Sequence, residues 1–219
     1  MDNLTLIIGN KNYSSWSLRP WVFMRQNNIE FTEKRVALFT ETTDEALSQY
    51  GSDSKVPVLK DGNVVVWDSL AILEHLSEKH LNSTGWPLDP EARAFARSIS
   101  CEMHSSFSNM RNELPMNCRK EFHDRVLSSD AEREIDRIKS LWVQCRSQFG
   151  KDGEWLFGQY SIADAMFAPI ALRFIGYNIP LTGEEKSYVN SVVNQPCIIE
   201  WIASGKAETE IIEEDEITP

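Results

Sequence analysis

Lys55-Val-Pro-Val-Leu-Lys-Asp-Gly-Asn-Val-Val-Val-Trp-Asp-Ser69 is the stretch whose reading decides the fold. Two runs rich in β-branched residues, Lys55–Lys60 and Asn63–Trp67, flank Asp61-Gly62. An Asp-Gly pair between such runs predicts a hairpin with a tight turn. Asp68 and Ser69 follow at once, and Leu70, Ile72, Leu73 and Leu76 form an apolar stripe at helical spacing that runs to about Lys79. Residues 55–79 therefore read β-β-α.

Upstream, the short apolar run Leu4–Ile8 closes on Gly9-Asn10 and reads as a buried strand. From Ser17 a helix follows, with Leu18, Trp21, Val22 and then Met24 or Arg25 at helical spacing, and it should fail at Asn27-Asn28; Pro20 is expected in its first turn. Phe31–Leu38 returns to strand composition, with Phe31, Val36 and Leu38 expected inside, and Thr40–Gln49 has room for a short helix. Strand, helix, strand in this order predicts a right-handed crossover onto a parallel neighbour. Between the first strand and its helix stands Asn12-Tyr-Ser-Ser-Trp-Ser-Leu-Arg-Pro20. A helix N-terminus attracts anions through its unpaired amides and its dipole, and hydroxyls placed there can also donate to a thiolate.

Downstream, Leu81–Pro90 is dense in Gly, Pro, Asn and Ser and reads as a linker, after which every pattern is helical. Phe95, Ile99, Met103, Phe107, Met110 and Leu114 recur at intervals of three or four and read as one helix; Ile135 to Phe149 gives a second. A third begins at Ser161-Ile-Ala-Asp164, a capping box. Glu184–Val193 and Cys197–Ser204 are further helix candidates, and Glu208–Glu216, with six carboxylates and no basic residue, reads as a frayed, solvated end.

A net charge of −11 over 219 residues argues against a nucleic-acid or anionic-membrane partner, both of which require a basic surface. Lys11, Arg19 and Lys55 remain available for a local basic pocket that holds a small anion. The cysteines, Cys101, Cys118, Cys145 and Cys197, contain no C-x-x-C and read as reduced thiols; Cys101 and His104 share a helix face without further metal ligands. The opening Met-Asp-Asn lacks a basic leader, and no apolar run reaches the roughly 18 residues of a membrane span, so a cytoplasmic address is expected.

The hydroxyl run before the first helix, Val56-Pro57 before the hairpin and Asp68-Ser69 at the third helix, set in an α/β half followed by a helical half, resemble the soluble glutathione transferases. The resemblance covers nearly the whole chain. It implies a thioredoxin-like domain (β-α-β-α-β-β-α) over residues 1–80, a linker over 81–90, an all-α domain over 91–205 and an acidic tail over 206–219. Ser14, Ser15, Ser17 and Arg19 look most like the zeta class, which includes maleylacetoacetate isomerases, although Trp16 stands where that class usually has Cys. The implied activity is activation of the glutathione thiol for attack on a small hydrophobic or acidic electrophile, by conjugation or by glutathione-dependent isomerisation, with glutathione as cosubstrate in a homodimer.

By the same resemblance Ser14 or Ser15 stabilises the thiolate, and Val56, beside a cis Pro57, meets the cysteinyl part of glutathione. Asp68 and Ser69 take the γ-glutamyl end, while Lys55 and Lys11 are placed by charge for the glycyl carboxylate. The electrophile is expected among Trp16, Met103, Phe107, Met110, Arg111 and Arg173. A non-catalytic binding or scaffolding module on the same fold is the alternative, and a thiol reductase is disfavoured by serine at the active position.

Overall fold

The hairpin forms as read, with its turn one residue later. Strands β3 (Val58–Asp61) and β4 (Val64–Trp67) pair antiparallel with Asp61 opposite Val64, so Gly62 and Asn63 make the two-residue loop. Gly62 has φ +58, the left-handed conformation that such a loop demands and glycine adopts freely. Ahead of the hairpin lie β1 (Thr5–Ile8), α1 (Ser15–Gln26), β2 (Thr32–Arg35) and α2 (Thr43–Ser48); behind it comes α3 (Ser69–His80). The four-stranded sheet has the order β2-β1-β3-β4, with β1 parallel to β2 and antiparallel to β3. This computed structural model describes residues 4–151 and 153–217. The opening three residues, where a basic leader was sought, and positions 218–219 of the acidic tail lie outside the described residues.

The α/β half is thus a thioredoxin-like β-α-β-α-β-β-α unit, and a helical half follows. Its helices are α4 (Pro90–Ser105), α5 (Ser108–Glu113), α6 (Ser129–Phe149), α7 (Ile162–Gly176), α8 (Gly183–Val193) and α9 (Pro196–Ala207). One apolar core runs through both halves: Leu6, Trp21 and Leu73 belong to the same buried cluster as Trp142, Phe167 and Trp201. Trp21 and Trp201 meet edge to face with centroids 5.1 Å apart, which fastens α9 to α1. Residues 81–90 are tied down as well, since Trp86 is buried, its Nε1 donates to Glu74, and the Gly85 carbonyl accepts Ile162 N at 2.8 Å.

Four local expectations need correction. The stretch 31–38 yields only Thr32–Arg35 as strand, all four exposed, because β2 is an edge strand; Val36 is buried, whereas Phe31 and Leu38 are half-buried. Pro20 sits in the second turn of α1 because the helix starts at Ser15. The single helix expected from Phe95 to Leu114 breaks at Ser106-Phe107, where Phe107 takes φ +62, and continues as α5. The acidic tail packs instead of fraying. The Glu208 carboxylate accepts Lys11 N at 2.8 Å and Asn12 N at 3.1 Å. Glu216 receives Tyr13 Oη at 2.5 Å and Asn117 Nδ2 at 3.0 Å and pairs with Arg119 and Lys120, while Ile212 is buried.

Candidate active site

The loop between β1 and α1 is built by its own backbone: the Asn10 carbonyl accepts both Tyr13 N and Ser14 N. Helix α9 reaches it because residue 205 is glycine; a Cβ there would stand 3.1 Å from the Asn12 backbone. Ser14 is the N-cap of α1, and its buried hydroxyl accepts Ser17 N at 3.4 Å and donates to Ser17 Oγ at 2.8 Å. Ser15, one residue on, is half-buried, and its Oγ accepts Arg173 Nη2 at 3.1 Å. The first turn of α1 carries no acidic residue, so the positive end of its dipole has no anion of its own.

Two cavities meet at this helix start. The larger, of about 680 Å³, is lined by Ser14, Ser15 and Trp16 from α1, Phe39 and Thr40 from the loop after β2, Arg111 and Arg173 from the helical half, and Ile212 and Asp215 from the tail. The smaller, of about 320 Å³, is lined by Trp16, Lys55, Val56, Pro57, Trp67, Asp68 and Ser69. Trp16, Lys55 and Val56 border both. The Val56-Pro57 peptide is cis, as the resemblance implied. Asp68 caps α3 through Oδ1, which accepts Leu70 N and Ala71 N, and its Oδ2 lies 2.6 Å from His104 Nε2 of α4. Ser69 is buried and its Oγ accepts Arg19 Nη1 at 3.1 Å.

Two guanidiniums lie against Trp16. The Arg19 guanidinium stands 4.2 Å from the Trp16 ring centre and that of Arg111 stands 5.5 Å from it. Burial and the neighbouring Arg111 and Arg173 lower the pKa of Arg19 to about 9. Burial, with Arg111 also acting, lowers that of Arg173 to about 10. Arg173 is held by the carbonyls of Arg111 and Leu114 and by Ser15, and its Nε has no partner; nor has Arg19 Nε. Asp215 lies on the same wall, and burial raises its carboxyl against the pull of Arg173.

Ser14, Ser15, Trp16, Lys55, Val56, Pro57, Asp68, Ser69, Arg111 and Arg173 are thus brought to one place from four helices and three connecting segments. Met103, Phe107 and Met110 are not. All three are buried in the core and line neither cavity, because the break at Ser106-Phe107 turns the chain before this stripe can reach the opening. Lys11 is likewise diverted: it is buried, pairs with Glu33 at 2.9 Å and lies 4.9 Å from the Trp21 ring centre. His104, Phe39, Ile212 and Asp215 join the site without being singled out for it from sequence. His104 stands one turn beyond Cys101 on the same helix face; the other three carry no local signal.

A family model described as the glutathione S-transferase N-terminal domain matches residues 13–79. Glutathione S-transferase theta-2 of Mus musculus is 31% identical over 172 residues, which cover 73% of this chain and 68% of that protein. A probable maleylacetoacetate isomerase of Caenorhabditis elegans is 33% identical over 99 residues, 45% of this chain and 46% of that protein. A dichloromethane dehalogenase of Methylophilus leisingeri is 41% identical over 66 residues, 29% of this chain; the match spans only a quarter of that protein's own length (25%). In fold, the chain is similar to a glutathione transferase homolog from Burkholderia gl BGR1 solved with bound glutathione, with TM-score 0.69 at 20% identity over 94% of this chain and 100% of that one.

Proposed function

Since the chain belongs to the glutathione S-transferase family, we propose that it is itself a glutathione transferase of the serine type, binding glutathione across the two cavities that share Trp16, Lys55 and Val56. That junction, set against the N-terminus of α1, is the observation that carries the reading. The γ-glutamyl end lies in the smaller cavity against Asp68 and Ser69, the cysteinyl amide meets the backbone of Val56 beside Pro57, and Lys55, whose ammonium pairs at the exposed surface with Asp53 at 3.1 Å, stands at the shared border for the glycyl carboxylate. The sulfur then falls at Ser14 and Ser15, facing the larger cavity.

Ser15 is the donor to the sulfur in this reading. Its oxygen already accepts from Arg173, which leaves its proton for the thiolate, whereas the Ser14 hydroxyl is spent on Ser17. A free thiol titrates near pH 8.5, and lowering that by about two units takes roughly 2.7 kcal/mol. A hydroxyl donor, a helix dipole and a nearby guanidinium together are of that order. In conjugation the sulfur forms a bond to the electrophilic carbon, the leaving group departs with its electron pair, and the thiol proton passes to solvent; in isomerisation the sulfur adds to a double bond and is expelled after rotation. The Ser-Ser-Trp-Ser-Leu-Arg run keeps the zeta-like reading, a homodimer in the cytoplasm. The domain over residues 1–80 holds glutathione, that over 91–205 supplies the helical walls, 81–90 join the two, and Ile212 and Asp215 of the acidic tail (206–219) close one side.

Calorimetric titration with glutathione, and steady-state rates with generic electrophiles for the wild type, Ser14→Ala and Ser15→Ala, test this. Micromolar to millimolar binding and a rate loss concentrated in Ser15→Ala are expected. No binding at millimolar glutathione leaves the non-catalytic scaffold standing instead, and undiminished rates in both variants refute the serine assignment.

A further inference from the structure

We propose that a separate cavity, between the linker and the helical half, binds a small organic cation of the alkylammonium type. This cavity of about 390 Å³ lies where residues 84–89 and the start of α4 meet the end of α6 and the loop before α7. It shares no lining residue with the two cavities at the start of α1, so its ligand is not tied to the transferase reaction. Trp86, Phe149, Phe157 and Tyr160 bring four aromatic rings to one space of a size that suits a small ligand. The face of an aromatic ring is the negative part of its quadrupole and attracts cations. Asp89 is the one charged residue on the wall, and it is an acid.

The walls are held in place by contacts of the chain itself. Arg93 Nη1 donates to the carbonyls of Pro87 and Leu88 at 3.0 and 2.7 Å, which fixes the linker where it turns into α4. Trp86 is anchored through Nε1 to Glu74 at 3.0 Å, Phe149 stacks on Phe157 with centroids 5.7 Å apart, and Trp155 meets Tyr160 edge to face at 5.2 Å. Phe149 and Tyr160 remain only half-buried, and Leu88 is exposed at the rim. Asp89 caps α4 through Oδ1, which accepts Ala92 N at 2.8 Å, and among the described residues it forms no ion pair. The nearby cations do not line the cavity: Arg93 is engaged by the two carbonyls, and Arg97 stands 5.7 Å from the Trp86 ring centre. A neutral apolar ligand would use the rings and nothing of the carboxylate, and an anion would meet its like charge. An alkylammonium uses both, and the net charge of −11 draws cations towards the surface.

Choline and 3,3-dimethylbutan-1-ol separate charge from shape, because the alcohol has carbon where choline has its ammonium nitrogen. Calorimetric titration of the full chain at physiological salt should give choline a dissociation constant about tenfold or more below that of the alcohol. Asp89→Asn keeps a side chain that caps α4 and removes the charge; Phe149→Leu keeps apolar contact and removes a ring face. Each should weaken choline about threefold or more while the alcohol stays within about twofold. Glutathione should bind the wild type and both variants alike, since neither position lines the cavities at α1. Equal affinity of the wild type for choline and the alcohol overturns the proposal by making the site merely apolar. Absence of choline binding at about 50 mM, far above the weakest affinity such a cage gives, overturns it outright. Choline binding that is unchanged in both variants overturns it by placing the cation elsewhere. A chain that binds choline as described but fails to bind glutathione would refute the transferase reading and leave this site standing.

Discussion

Helices α1 and α7 both begin at a serine after an irregular stretch, and the two starts are finished in opposite ways. At α7 the chain provides its own anion. Asp164 is fully buried, and its carboxylate accepts Leu156 N at 3.1 Å, Ser161 N at 2.8 Å and Ser161 Oγ at 3.0 Å. At α1 the equivalent position, three residues after the Ser14 cap, is Ser17, and the first turn contains no acid. At α7 the buried carboxylate is taken up by donors of its own chain, whereas the α1 start opens on a cavity of about 680 Å³ flanked by guanidiniums. An identical piece of backbone chemistry is thus a structural joint where the sequence closes it and a binding site where the sequence leaves it open.

The largest effect should come from opening the closed start. Asp164→Ala strands three buried donors and should cost about 3–4 kcal/mol in urea denaturation, while glutathione affinity of the folded fraction stays within twofold. The second effect is in pH. Burial raises the Asp164 carboxyl to about 6, so between its unfolded value near 3.9 and 6 the folded chain holds a proton that the unfolded chain has lost. The stabilising contribution is complete below about pH 4 and declines as pH rises through 6. The stability gap between wild type and Asp164→Ala should therefore shrink across that window, by about 3 kcal/mol in all.

At the open start the effects are functional and smaller. Ser15→Ala should lower kcat/KM by about 100-fold, or about 2.7 kcal/mol, with the melting temperature unchanged. Ser17→Asp should turn α1 into a copy of α7 by supplying the missing internal anion; glutathione affinity should then fall about tenfold, or about 1.4 kcal/mol. Ser14→Ala removes a cap and should cost about 1 kcal/mol of stability, with less than a fivefold change in rate. A stability loss in Ser15→Ala larger than in Ser14→Ala would reverse the roles given to the two residues.

Both starts were legible in the sequence, because each is a local pattern of a few residues whose meaning does not depend on distant parts of the chain. The hairpin after Pro57 was legible for the same reason, with only its turn displaced by one residue. The break between α4 and α5 was not, since Phe107 at φ +62 looks in sequence like any other member of an apolar stripe, and the pocket assigned to Met103, Phe107 and Met110 was lost with it. The tail was misread because what holds it lies elsewhere: Arg119 donates to the carbonyls of Glu208 and Glu210, and Lys11 and Asn12 offer their amides to the Glu208 side chain. Six carboxylates in nine residues signal solvation unless the cations that meet them can be placed in space.

That strap also sets a clock on synthesis. Glu208 is translated 197 residues after the Lys11 amide that it binds, which at 5–20 residues per second is an interval of about 10–40 s. Throughout that time the strand, the hairpin and the first helix are already available to fold, but the loop bearing the two serines lacks its clamp and the larger cavity lacks the wall made by Ile212 and Asp215. A nascent chain can therefore acquire the sheet well before it acquires a finished pocket.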